Sequence, residues 1–145
     1  MPLKKPKPWG LWCAIAIIGV GLINYLTRGP EFGGSYPVSV EIFVEQRDAK
    51  EFYTMTIVDR DACSRIIRVL CDARKSDLGD SPGMGWLMVH YPDGTTNQIH
   101  FLPGRNPESE GIRWGKHDFA LSRKRFYDVL RQAGVDVTRI PEGEH

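Results

Sequence analysis

From Trp9 to Thr27 the chain runs through nineteen residues, WGLWCAIAIIGVGLINYLT, that carry no formal charge. A segment this long and apolar either crosses a membrane or lies inside a large core. At 1.5 Å per residue a helix of this length spans about 28 Å, close to the hydrocarbon thickness of a bilayer. Lipid offers no water to the peptide groups, so they must bond within the segment, and a helix is expected despite Gly19 and Gly21. Trp9 and Trp12 at one end and Tyr25 at the other fit interfacial anchors. The residues that follow are too few to enclose such a helix, which favours a span over residues 9–27.

Two rival readings share the same residues. A lipid-modified cysteine sits at the end of an apolar region, after small residues, whereas Cys13 follows Trp12 and precedes most of the run. Cleavage of a signal peptide is the stronger rival, because Lys4, Lys5 and Lys7 followed by an apolar run also describe one. A clean small-x-small cleavage site is missing, however. Pro30 follows Thr27-Arg28-Gly29, and Gly33-Gly34-Ser35 lies beyond charged Arg28 and Glu31. Retention is therefore the preferred reading. The three lysines then hold the tail, residues 1–8, in the cytoplasm, and the domain faces away from it.

The formal charge is +1 overall, and residues 1–34 hold four cations against one anion, leaving −2 for the rest. A near-neutral domain lacks the clustered basic footprint of nucleic-acid binding, and no nucleic-acid partner is expected. Cys63 and Cys71 fall on one expected helix, about 12 Å apart, beyond the reach of a disulfide. Both are expected as buried thiols. Free thiols favour a reducing compartment, but the lysine asymmetry carries more weight for orientation.

Residues 28–36 read as a short linker that keeps the domain near the bilayer, residues 37–140 as an α+β domain, and residues 141–145 as a disordered tail. Val38, Val40, Ile42 and Val44 alternate with Ser39, Glu41, Phe43 and Glu45, a half-buried strand; Phe52 to Val58 alternates likewise, and the two form a hairpin. Asp61 is the expected cap of a helix with apolar positions Cys63, Ile66, Ile67 and Leu70, ending near Lys75 before the loop SDLGDSPGMG. Pro92-Asp93-Gly94 marks a type I turn with a Gly bulge between two further strands. A fifth strand is expected within Ile112 to Leu121. Ser122 then caps a last helix with Phe126, Val129, Leu130 and Ala133 inward and Gly134 as terminator. The order ββα-βββα predicts an antiparallel sheet of about five strands with both helices on one face.

No nucleophile elbow, phosphate loop or metal-ligand spacing appears, so no catalytic residue, metal or cofactor is nominated. His90 and His100 share a hairpin, but the Pro-Asp-Gly register sets them four rungs apart, about 13 Å, too far to share an ion. Asp59-Arg60-Asp61 reads as strand end plus helix cap. One conflict stands out: Arg123, Lys124 and Arg125 occupy the first turn of the last helix, where the dipole disfavours cations. With Arg113, Lys116, His117 and Ser122 they form a candidate site for an anion or lipid head group; balancing by Asp118 and Asp128 is the plainer alternative.

The chain thus reads as a single-pass membrane protein with a non-catalytic binding or accessory domain outside the cytoplasm, whose partners are the bilayer and another protein. An extracytoplasmic enzyme acting on an anionic or membrane-proximal substrate through Arg113–Arg125 is the alternative from another class, and a secreted protein after cleavage is a third. Two structural features separate the first two. A pocket where acids or histidines converge beside the basic region favours the enzyme; a flat sheet face with exposed aromatics such as Phe43 favours a protein partner.

Overall fold

The computed structural model describes residues 15–23, 29–30, 32, 36–46 and 51–141. Residues 15–23 are helical (α1), and Ile15, Ile17, Ile18, Val20, Leu22 and Ile23 are all between 53% and 72% exposed. Among the described residues no helix is long and apolar enough to cross a membrane. Trp9, Trp12, Cys13 and Tyr25 lie outside the described residues, as do residues 1–8 and 142–145 of the expected tails.

The domain is α+β, with seven antiparallel strands in one sheet. Its elements are β1 (Ser39–Gln46), β2 (Glu51–Ile57), α2 (Arg60–Cys71), β3 (Arg74–Lys75), β4 (Gly85–His90), β5 (Thr96–Pro103), β6 (Ser109–Trp114), β7 (His117–Ser122) and α3 (Arg123–Gln132), followed by a 3-10 turn at Val137–Arg139. The sheet order is β2-β1-β4-β5-β6-β7-β3. Strand alternation sends Val40, Ile42, Val44, Leu87, Val89, Ile99, Phe101, Ile112, Phe119 and Leu121 to one face. There they join Ile66 and Leu70 of α2 and Phe126 and Leu130 of α3 in a single buried cluster. That face is the core. Among the described residues no helix packs on the opposite face, called outer below.

Sheet and helix punctuation follow the local chemistry. Tyr91 N–H donates to Thr95 O and Gly94 N–H to Tyr91 O, with Gly94 at φ 82°, which closes the expected turn and bulge. Val89 pairs with Asn97 and Trp86 with His100, the register read from Pro-Asp-Gly. Ser122 Oγ accepts from Arg125 N–H and caps α3. At the other end Gly134 takes φ 87° and Val135 N–H reaches back to Leu130 O, a Schellman ending.

Four expectations need correction. The expected fifth strand is two strands, β6 and β7, because Gly115 at φ 60° stands first in a two-residue turn between the paired Trp114 and His117. Gly at that position suits a type II′ hairpin, and the turn splits what reads as one segment. Helix α2 is capped by Asp59, whose Oδ1 accepts from Ala62 N–H at 2.7 Å; Asp61 falls in the first turn. The helix stops at Cys71, since Arg74 and Lys75 are taken by Ala120 and Phe119 of β7 as β3. Cys71 is therefore exposed at the helix end, and of the two Cys63 is the buried thiol, donating to Ile57 O, with burial pushing its pKa up.

The described part of the expected linker is built into the domain. Phe32 is buried beside Trp114, ring centroids 5.1 Å apart, and its carbonyl accepts from the Tyr91 hydroxyl at 3.0 Å. Pro30 and Pro37 are buried, and a Cβ at Gly29 would collide with the carbonyls of Cys71 and Ala73. The chain that follows the apolar run is thus held against the end of α2.

Candidate functional site

The residues expected to form one basic cluster separate into three groups, and most of them carry their own counter-charge. Arg113 points to the outer face, where its Nε and Nη2 donate to the two oxygens of Asp118 at 2.7 and 2.9 Å. The guanidinium holds the Asp118 carboxyl below the usual carboxylate range, and Asp118 in turn keeps Arg113 protonated. Lys116 and His117 sit in and beside the exposed β6–β7 turn. Ser122, Arg123 and Lys124 line a cleft at the opposite end of those strands.

The first turn of α3 resolves the conflict between cations and helix dipole residue by residue. Arg123 Nε meets Glu110 Oε1 at 2.5 Å, Lys124 Nζ meets Asp128 Oδ2 at 2.6 Å, and Arg125 Nη2 meets Asp72 Oδ2 at 2.8 Å. Glu110 is 1% exposed, also accepts from the Tyr127 hydroxyl, and reaches this position because its strand phase turns it inward beside Leu121. The pair is costly to break from the arginine side, because Glu110 alone would be a desolvated charge, whereas half-buried Arg123 borders the cleft. Arg125 leans toward α2 and away from the cleft.

The cleft has a volume of about 730 Å³ and is lined by Pro107, Glu108, Ser122, Arg123, Lys124, Tyr127 and Arg131. Its three cations are matched by Glu110 and by Asp128, which holds Arg131 as well as Lys124. Glu108 adds a further acid to the wall. No histidine lines it, its one lining acid, Glu108, is exposed, and buried Glu110, which is not part of the lining, is held by Arg123 and Tyr127. Among the described residues no group of three His, Cys, Asp or Glu side chains could hold a metal.

The outer face of the sheet divides into two unlike halves. Over β6 and β7 it is closed by the loop between β3 and β4. Leu78 is buried in contact range of Gly111 and Leu102, its N–H donates to Asp118 Oδ2, and Arg113 Nη2 donates to Gly79 O at 2.8 Å. Gly111 is required there, since a Cβ would enter the space filled by Leu78. Over β2, β1 and β4 no described segment covers the sheet. Phe43 and Trp86, directly paired in the ladder, stack at 5.2 Å and 15°; Phe52, 55% exposed, tilts against Trp86 at 5.7 Å, and His100 lies at 6.3 Å on the other side. Glu41 stands 3.4 Å from His90 Nε2 at one rim, and exposed Glu45 is paired in register with Phe52 at the other.

Of this aromatic group, Phe43 alone stands out in the sequence. Trp86 and Phe52 were legible in principle: each occupies the polar phase of its strand, and an aromatic on the solvent phase is the signal. No family profile, curated protein or solved structure matches this chain.

Proposed function

We propose that this chain is a single-pass membrane protein whose α+β domain works by binding another protein through the bare aromatic half of its sheet, without catalysis. In this reading the lysine-flanked apolar run is a retained anchor, the tail is cytoplasmic and the domain lies outside the cytoplasm. The observation that carries the binding half is the Phe43–Trp86–Phe52 stack, left on the surface of a fold that covers the neighbouring half of the same face. Contiguous exposed aromatics mark interaction surfaces, because aromatic anchors contribute much of the energy at interface centres. The anchor half is supported by the apolar side chains of α1, which are exposed on all sides and would need lipid around them.

The experiment uses the full-length chain in its own membranes. Resistance to carbonate extraction with an uncut amino terminus is expected; a soluble chain beginning after about residue 28 would remove the anchor. Photo-crosslinking from position 52 tests the aromatic surface separately, with adducts to a different protein expected there.

The cleft at the start of α3 supports the second reading, an anion site serving an enzyme, through its Arg123, Lys124 and Arg131 lining. Its charges are already paired, which weakens the pull on an anion. Inorganic phosphate titrated against the protein should leave the resonances of Tyr127 and Ser122 in place; saturable shifts would revive the anion reading.

A further inference from the structure

The two edges of the sheet are managed in opposite ways. One ends in β3, two residues long, after which the chain folds over the outer face through Leu78. The other ends in β2, seven residues, EFYTMTI, paired on one side with β1 through seven consecutive partners with no bulge. Among the described residues no loop or turn makes a backbone hydrogen bond to Glu51–Ile57. Every second peptide group therefore presents its N–H and C=O away from β1, with no backbone partner among the described residues. Natural edges are blunted by lysine, proline, bulges or shortness, and β2 has none of these. Threonine, tyrosine, phenylalanine and isoleucine give it strong strand character.

We infer that β2 is a strand-addition edge whose occupant is β2 of a second copy of this chain, paired antiparallel about Thr54. The choice of a second copy rests on self-complementarity. Under a two-fold axis through Thr54, Phe52 faces Thr56 of the second copy, Tyr53 faces Met55, and Glu51 faces Ile57. The sole charge of the strand meets an apolar residue, and the two copies of Glu51 stand about 20 Å apart. An isologous contact of this sort closes on itself, so it yields a dimer and no fibre. Strand phase is preserved across the axis: Phe52, Thr54 and Thr56 of both copies lie on the outer face, and the two aromatic stacks become one surface of fourteen strands. This pairing needs neither the membrane span nor the aromatic partner, so it stands or falls apart from them.

The test is disulfide trapping in the full-length chain, with Cys13→Ser and Cys71→Ser removing the reactive native thiols and buried Cys63 retained. Thr54→Cys places two sulfurs on facing positions whose Cβ atoms are about 4.5–5.5 Å apart, close to disulfide range. Mild oxidation should convert most of the chain to a dimer. Differently tagged Phe52→Cys and Thr56→Cys chains should trap with each other. Lys116→Cys, in the remote β6–β7 turn, should remain monomeric. Adding Thr54→Lys to the Phe52→Cys and Thr56→Cys pair sets two ammonium groups face to face and should cut trapping about tenfold. Native circular dichroism of each variant separates failure to pair from failure to fold. No dimer from folded Thr54→Cys, or trapping no greater than at Lys116, would overturn the inference. Adducts to another protein with no homodimer would overturn it too, and would assign the edge to a foreign strand.

Discussion

The described residues close the β6–β7 side of this molecule on both faces and the β1–β2 side on one. Over β6 and β7 the outer face is capped by Leu78 and locked by Arg113 and Asp118, and the inner face holds Glu110 between Arg123 and Tyr127. Over β1, β2 and β4 the inner face is core, but the outer face carries three aromatic rings, Phe52 exposed and Phe43 and Trp86 half-buried against each other. A nine-residue loop and a glycine cover one half, while among the described residues nothing covers the other. The proposed binding surface lies on the uncovered half, and the covered half supplies the internal comparison for it.

Substitutions should separate the halves by what they cost. Glu110→Ala removes the buried carboxylate that half-buried Arg123 and the Tyr127 hydroxyl donate to, and should lower stability by about 1–3 kcal/mol, measured by urea unfolding. A loss below 1 kcal/mol would mean that the closed side is held by packing alone. Leu78→Ala removes the lid from Gly111 and Leu102 and should cost about 2–3 kcal/mol while leaving any partner bound.

The Arg113–Asp118 lock makes the lid sensitive to acid. Asp118 has a folded pKa below its unfolded value, so its contribution is present above the unfolded pKa and is lost as pH falls through the folded one. Amide exchange at Leu78, which donates to Asp118 Oδ2, should therefore speed up below about pH 4, and Asp118→Asn should show faster exchange already at pH 7. Equal protection of Leu78 in the two proteins at pH 7 would detach the lid from the ion pair. At the small end, Phe52→Ala should change stability by about 0.5 kcal/mol or less, being largely exposed, yet abolish partner capture. A large stability loss there would make the bare half structural after all.

How far these halves could be read in advance depended on range. Local patterns carried the first hairpin, the Pro-Asp-Gly turn, the Ser122 cap and the apolar phases of both domain helices, because each is decided within a few residues. Turn chemistry was missed where it was weaker: Gly115-Lys116 lacks the Asn-Gly or Asp-Gly signal, so β6 and β7 merged. Strand β3 was invisible since two residues have no period, and Arg74 and Lys75 are strand only because β7 pairs with them. The expected basic site suffered most from range. Asp72 lies 53 residues from Arg125 and Glu110 lies 13 from Arg123, so the carboxylates that neutralise the helix start cannot be assigned from spacing. Phe43 and Trp86 are likewise joined only by the β1–β4 pairing.

The most direct test places a photo-crosslinking residue at position 52 on the bare half and, in a separate chain, at Ser81 in the loop that serves the closed half. Both full-length proteins would be irradiated in native membranes. Adducts from position 52 to a protein other than this chain, with none from position 81, are what a partner site on the Phe43–Trp86–Phe52 surface predicts; adducts only to a second copy would leave that site without a partner. Adducts of equal yield from both positions, or from position 81 alone, would contradict it.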